Sequence, residues 1–142
     1  LGLTCIRAAA ADAREKHAAW EGQADVVMAD VPCSGLGIIR KKPDIRYKNP
    51  KELAQLPLVQ RAILENASGY VRPGGTLVYS TCTVLPEENE DVTGDFLDKH
   101  PEFEPVRTAF PLPVGPCPGQ VTLWPQRHGT DGFYICRMRR KD

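Results

Sequence analysis

The stretch that decides the fold is Asp25-Val-Val-Met-Ala29, followed without a break by Asp30-Val-Pro-Cys-Ser-Gly-Leu-Gly37. Apolar residues on both faces read as a buried strand of a parallel sheet. The proline and two glycines that follow turn the chain into a loop; Gly35 and Gly37 either let backbone approach a ligand closely or make the turn. A second stretch repeats the arrangement. Arg72-Pro-Gly-Gly75 predicts a turn, Thr76-Leu-Val-Tyr-Ser80 a buried strand, and Thr81-Cys82-Thr83 its end.

Between the two strands, Asn49-Pro50-Lys51-Glu52 is a helix start, with Asn49 as cap, Pro50 in the first turn and Glu52 three residues on. Apolar residues at Leu58/Val59, Ala62/Ile63, Ala67 and Tyr70/Val71 then recur every fourth position, which predicts a long amphipathic helix lying on the sheet. Pro57 kinks it or divides it in two.

Upstream, Leu3 to Ala9 reads as a short strand with Asp12 at its end, and Ala13 to Trp20 as a short helix broken by Gly22. Downstream, Pro86 opens an acidic helix running to about His100, read as a solvated outer face. Two final strands are expected near Val121 to Trp124 and Phe133 to Met138. With no helix expected between them, they should pair antiparallel. Alternating strands and helices ending in a hairpin predict a doubly wound α/β sheet, mostly parallel.

Composition agrees with an ordinary globule: 42% hydrophobic and 25% charged residues, and no run near the roughly 18 apolar residues a membrane helix needs. The start carries no signal-peptide features and no Met, which suggests a chain cut from something longer. The five cysteines, 5, 33, 82, 117 and 136, are odd in number and lack zinc-site spacing, so a reduced, cytoplasmic protein without metal is expected. The zero net charge hides an asymmetry. Arg40, Lys41, Lys42, Arg46, Lys48 and Lys51 surround a single acid, Asp44, whereas the segment from Glu87 to Glu104 holds eight acids against Lys99. Such a basic stretch suits a phosphate-bearing partner, or is simply a solvated loop.

Ligands of open α/β sheets bind at the carboxyl ends of the strands. Cys33 and Cys82 both fall there. If their strands are neighbours, about 4.8 Å apart, both thiols open into one crevice beside Asp30. Cys5, Cys117 and Cys136 read as small buried hydrophobes.

Asp30-Val-Pro-Cys-Ser-Gly-Leu-Gly37, then Pro43-Asp-Ile45, then Tyr79-Ser-Thr-Cys-Thr-Val-Leu-Pro-Glu-Glu-Asn89 resembles the Sun family of RNA cytosine-C5 methyltransferases. The resemblance runs from near residue 3 to the carboxyl end and implies that residues 1–142 are the carboxyl-terminal part of a catalytic domain, a partial Rossmann-like S-adenosylmethionine-dependent fold without its first strands, with 16S ribosomal RNA as the expected substrate. It implies that Cys82 is the nucleophile, that Cys33 assists product release, and that Asp30 contacts cofactor and cytosine. Pro32 and Asp12 would line the cofactor site, Asp12 near the adenine. Arg40, Lys41, Lys42 and Arg46 are expected to hold RNA, and Asp44, with Pro43 and Tyr47, to shape the pocket for an extruded base. A thiolate adding to carbon 6 makes carbon 5 nucleophilic, which divides one hard step into easier ones.

The family's earlier glycine-rich cofactor motif is not found here; Pro73-Gly74-Gly75 precedes a later strand. The chain alone is therefore expected to bind S-adenosylmethionine weakly or not at all, to be inactive by itself, and to leave a sheet face open to self-association. Alternatives are a non-catalytic RNA-binding module, a DNA cytosine-C5 methyltransferase using Cys33, and, more remotely, a thiol–disulfide enzyme, which the lack of Cys-x-x-Cys disfavours.

Overall fold

Two strands and the helix joining them set the frame in the computed structural model, which describes residues 2–142. Strand β1 (Ala24–Asp30) leads through the cysteine loop and a short 3-10 turn at Pro43–Tyr47 into helix α1 (Pro50–Leu53) and helix α2 (Leu56–Tyr70). Asn49 caps α1 by accepting a 3.0 Å bond from the Lys51 amide, and Pro57 sits in the first turn of α2, so the helix is divided in two. Strand β2 (Val71–Thr81) then pairs parallel with β1, Val26 opposite Thr76 and Asp30 opposite Ser80.

After β2 come α3 (Glu90–Lys99), β3 (Phe103–Pro105), a two-residue ladder of β4 (Thr108–Ala109) and β5 (Pro116–Cys117), β6 (Gln120–Leu123), α4 (Pro125–His128) and β7 (Phe133–Arg140). The main sheet runs β1-β2-β7, and β3 and β6 both pair antiparallel with the far edge of β7. The parallel part is β1–β2.

Helices α2 and α3 cover one face. Ala29, Leu77, Tyr79, Tyr134, Cys136 and Met138 point to that side and pack with Leu64, Ala67, Val92 and Phe96. Leu64 and Leu77 are fully buried, which contributes roughly 1.5–3 kcal/mol each. On the other face Val26 and Met28 are 62% and 70% exposed.

Several sequence expectations are corrected. Residues 3–9 form no strand, and 13–20 give only a turn and a 3-10 turn at Ala18–Trp20. Alanine-rich segments have helix propensity, but so short a helix needs packing to persist. β1 is buried on one face only, because it is an edge strand with no layer over Val26 and Met28 among the described residues. Arg72–Gly75 is a bulge inside β2, since Val71 pairs with Ala24 and the register resumes only at Thr76. The final strands do enclose a helix, α4, although β6 and β7 pair antiparallel as expected. The acidic helix is no purely solvated face: Val92, Thr93 and Phe96 are buried, and so are Glu88 and Asn89 just before it.

Candidate active site

Parallel pairing of β1 with β2 puts the loops leaving both strands side by side. Val31 extends the ladder by donating to Ser80 O at 3.1 Å. The chain then rises through Pro32 to Cys33, whose Sγ lies 3.0 Å from Cys82 Sγ and accepts the Cys82 amide at 3.2 Å. Burial, and then the neighbouring Cys82 thiol, push the Cys33 pKa up to about 12. Cys33 is therefore a protonated thiol near neutral pH, able to donate toward Cys82. Ser80 Oγ donates to Asp30 Oδ1 at 3.0 Å, anchoring the acid at the strand end.

A cavity of about 590 Å³ opens over the sulfurs, lined by Asp30, Pro32, Cys33, Cys82, Lys42, Asp44, Lys48, Ile38, Ile45 and Phe133 among others. A second cavity of about 380 Å³ lies across Asp30 and Pro32, walled by Ala9, Ala11, Ala13, Trp20, Val27, Met28, Ile63, Ala67 and Tyr70. It is largely apolar, and His17 reaches its wall with a buried Nε2 that has no hydrogen-bond partner. Asp30 and Pro32 thus belong to both chambers.

The loops are locked by backbone and buried polar contacts. Gly37 donates to Cys82 O at 3.0 Å and accepts from the Gly132 amide at 2.8 Å, so three segments meet where only a glycine fits. Ser34 Oγ donates to Thr83 Oγ1 at 2.8 Å, Thr81 Oγ1 to Asn89 Oδ1 at 2.6 Å, and Asn89 Nδ2 to Thr83 O at 3.2 Å.

Of the residues singled out from sequence, Asp30, Pro32, Cys33, Cys82, Lys42 and Asp44 line the thiol cavity. Asp12 does not. It is exposed beside Pro32 in a shallow neighbouring hollow, where Arg14 holds its carboxyl at about 2 through a 2.6 Å bond. Arg40 and Lys41 lie outside the cavity and pair with Asp131 at 3.4 and 2.5 Å. Arg46 is also outside, its guanidinium 6.0 Å from the centre of the exposed Tyr47 ring. Sequence reasoning missed Lys48, whose Nζ donates to Ser34 O at 2.8 Å, and Glu88. Lys48 was visible only as one more basic residue, and Glu88 looked like any acid at a helix start.

A mixed sheet with one-sided helices, and a thiol pair at the carboxyl ends of its parallel strands, make this a partial fold of the S-adenosylmethionine-dependent methyltransferase class. The chain belongs to the family described as "16S rRNA methyltransferase RsmB/F", which it matches over residues 1–139. It is 45% identical to the probable ribosomal RNA small subunit methyltransferase B of Bacillus subtilis, over 99% of this chain and 33% of that protein. The chain therefore spans about a third of the length of this curated relative. Among solved structures, NSun6 from Pyrococcus horikoshii with SFG is 28% identical, with TM-score 0.63 over 81% of this chain and 29% of its own. A methyltransferase homologue from the same organism is 30% identical, with TM-score 0.64 over 83% of this chain and 39% of its own.

Proposed function

We propose that residues 1–142 form the carboxyl-terminal part of the catalytic domain of a cytoplasmic enzyme that methylates carbon 5 of cytosine in RNA, with 16S ribosomal RNA as substrate. The observation that carries this reading is the pair of sulfurs 3.0 Å apart where two chambers share Asp30 and Pro32. Family membership and the relatives' names support it.

In this reading Cys82 Sγ adds to carbon 6 of a cytosine held in the larger chamber. Asp30 stands at the rim to stabilise the ring as charge shifts during addition. S-adenosylmethionine, when bound, supplies the methyl group. The apolar chamber fits its flat adenine: alanines and Trp20 give a smooth wall, and His17 Nε2 is a buried polar atom awaiting a partner. A family relative solved with SFG, an analogue of that donor, agrees. After transfer a base removes the carbon-5 proton, the ring double bond re-forms, and the carbon–sulfur bond breaks toward Cys82. Cys33 stays protonated and hydrogen-bonds to that departing sulfur as its negative charge returns. Lys42 and Asp44 contact the base or its phosphate inside the chamber, and Arg40, Lys41 and Arg46 engage RNA phosphates around it.

The open face carrying Val26 and Met28 is covered by the remainder of the family fold; in residues 1–142 alone it drives self-association. Alone, the segment binds S-adenosylmethionine weakly or not at all, so calorimetric titration giving micromolar affinity would contradict this part. The deciding test of the function uses the full natural polypeptide that carries residues 1–142 and RNA containing 5-fluorocytidine. The expected result is a stable protein–RNA cross-link that Cys82→Ser abolishes. A cross-link that survives Cys82→Ser and vanishes with Cys33→Ser would reverse the roles, and RNA binding with no cross-link would leave a non-catalytic module.

A further inference from the structure

We infer that Glu88 is the positioning residue that sets Cys33 against Cys82, an inference that rests on the proposed covalent reaction. Glu88 is 2% exposed, far from the solvated role its place in an acidic segment suggests. Its Oε2 accepts the Ser34 amide at 2.9 Å and Gln60 Nε2 at 2.8 Å. The same Gln60 nitrogen donates to Pro32 O at 3.0 Å. One carboxylate oxygen thus holds the peptides on both sides of Cys33, directly at Ser34 and through Gln60 at Pro32. The Glu88 main chain is itself fixed, because Tyr79 OH donates to its carbonyl at 2.6 Å.

A buried carboxylate is costly unless it receives strong hydrogen bonds. Packing alone does not account for it: Glu88 Oε1 is buried without a hydrogen-bond partner, a cost set against the bonds that Oε2 receives. What a carboxylate adds is two short, directional acceptor bonds. These place the Cys33 thiol at hydrogen-bond distance from the nucleophile, where a displacement of about 1 Å can cost two orders of magnitude in rate. Glu88 touches neither thiol, and it acts through the loop.

The consequence is specific to the step that Cys33 serves. Loss of Glu88 leaves Cys82 in place just past the end of β2, so the adduct still forms, but its resolution slows. The test measures, in the full natural polypeptide, both turnover and the steady-state fraction of enzyme covalently bound to unmodified RNA on denaturing gels. Glu88→Gln is isosteric and keeps one acceptor oxygen while losing its charge; it should slow adduct resolution by about tenfold and raise the adduct fraction. Glu88→Ala should raise that fraction further, with Glu87→Gln as an exposed neighbour that changes neither quantity.

A Glu88→Gln enzyme of unchanged melting temperature and unchanged adduct fraction overturns the assignment. So does a fall of turnover and adduct in equal proportion, which a purely structural role would give. If the unsubstituted enzyme forms no adduct even with 5-fluorocytidine RNA, the proposed covalent reaction fails and the Glu88 role fails with it. A normal adduct that Glu88→Gln does not raise removes the Glu88 role alone.

Discussion

Replacing Gly37 by alanine puts one methyl group where three backbone segments converge. Its Cβ would land on the Gly132 carbonyl oxygen and within 2.8 Å of Cys82 O, both main-chain atoms that no side-chain rotation can move aside. Relief requires parting the cysteine loop from Cys82 or from the turn at Gly132, and with it the bonds Gly37 N to Cys82 O and Gly132 N to Gly37 O. Overpacking of this kind costs about 1–3 kcal/mol, and two lost backbone bonds about 0.5–1.5 kcal/mol each. The sum is about 2–6 kcal/mol, equivalent for a chain of this size to a fall in Tm on the order of 10 °C. Thermal unfolding followed by circular dichroism measures it. Gly94→Ala is the control, since nothing lies within 4 Å of the added Cβ. A Gly37→Ala protein melting within 1 °C of the parent would refute the claim that this glycine clamps the nucleophile's backbone.

The control is itself a prediction: Gly94 lies inside α3, so Gly94→Ala should stabilise by about 0.5–1 kcal/mol in urea titration. Cys33, with its pKa pushed up to about 12, should resist alkylation at pH 8 while exposed Cys5 reacts readily; peptide mass spectrometry after iodoacetamide reads this, and equal labelling would contradict the half-buried, protonated thiol. His100 is bonded to Glu102 at 3.0 Å and Glu65 at 2.9 Å. Burial pulls its pKa down, but these two carboxylates more than reverse the effect and leave it above the ordinary 6.5. A raised folded-state pKa means that its contribution to stability is complete below pH 6.5 and is lost as pH climbs through the folded value. Imidazole titration by NMR should show the raised value, and Glu65→Gln with Glu102→Gln should bring it down. Asp131→Asn should free Arg40 and Lys41 with little change in stability, because both cations are mostly exposed; urea titration should give a midpoint close to the parent's.

Local chemistry made much of this protein readable from its residues. The apolar run at Asp25–Ala29, the Asn49 cap, the four-residue rhythm from Leu58 to Val71 and the closing hairpin each depend on neighbours within a turn or a strand length. Recognising both cysteine motifs required no coordinates, and right-handed crossover chemistry was enough to make their strands neighbours. The upstream segment was misread because its residues favour a strand and helix that no layer covers in residues 2–142, and propensity without packing is too weak to hold such short elements.

Other features exist only through contacts between distant residues. Glu88 and Glu87 look alike in the chain, yet one is sealed against Ser34 and Gln60 and the other is exposed, because burial depends on what packs from afar. Arg40 and Lys41 meet Asp131 only because the loop before β7 folds back over the cysteine loop. The sequence by itself determined which segments are strands with a thiol at the end, since backbone propensity and hydrophobic period act over a few residues. Tertiary structure alone decided how near the sulfurs stand, which acid is buried behind them and which sheet face is bare, since desolvation and hydrogen-bond geometry arise only when remote segments meet.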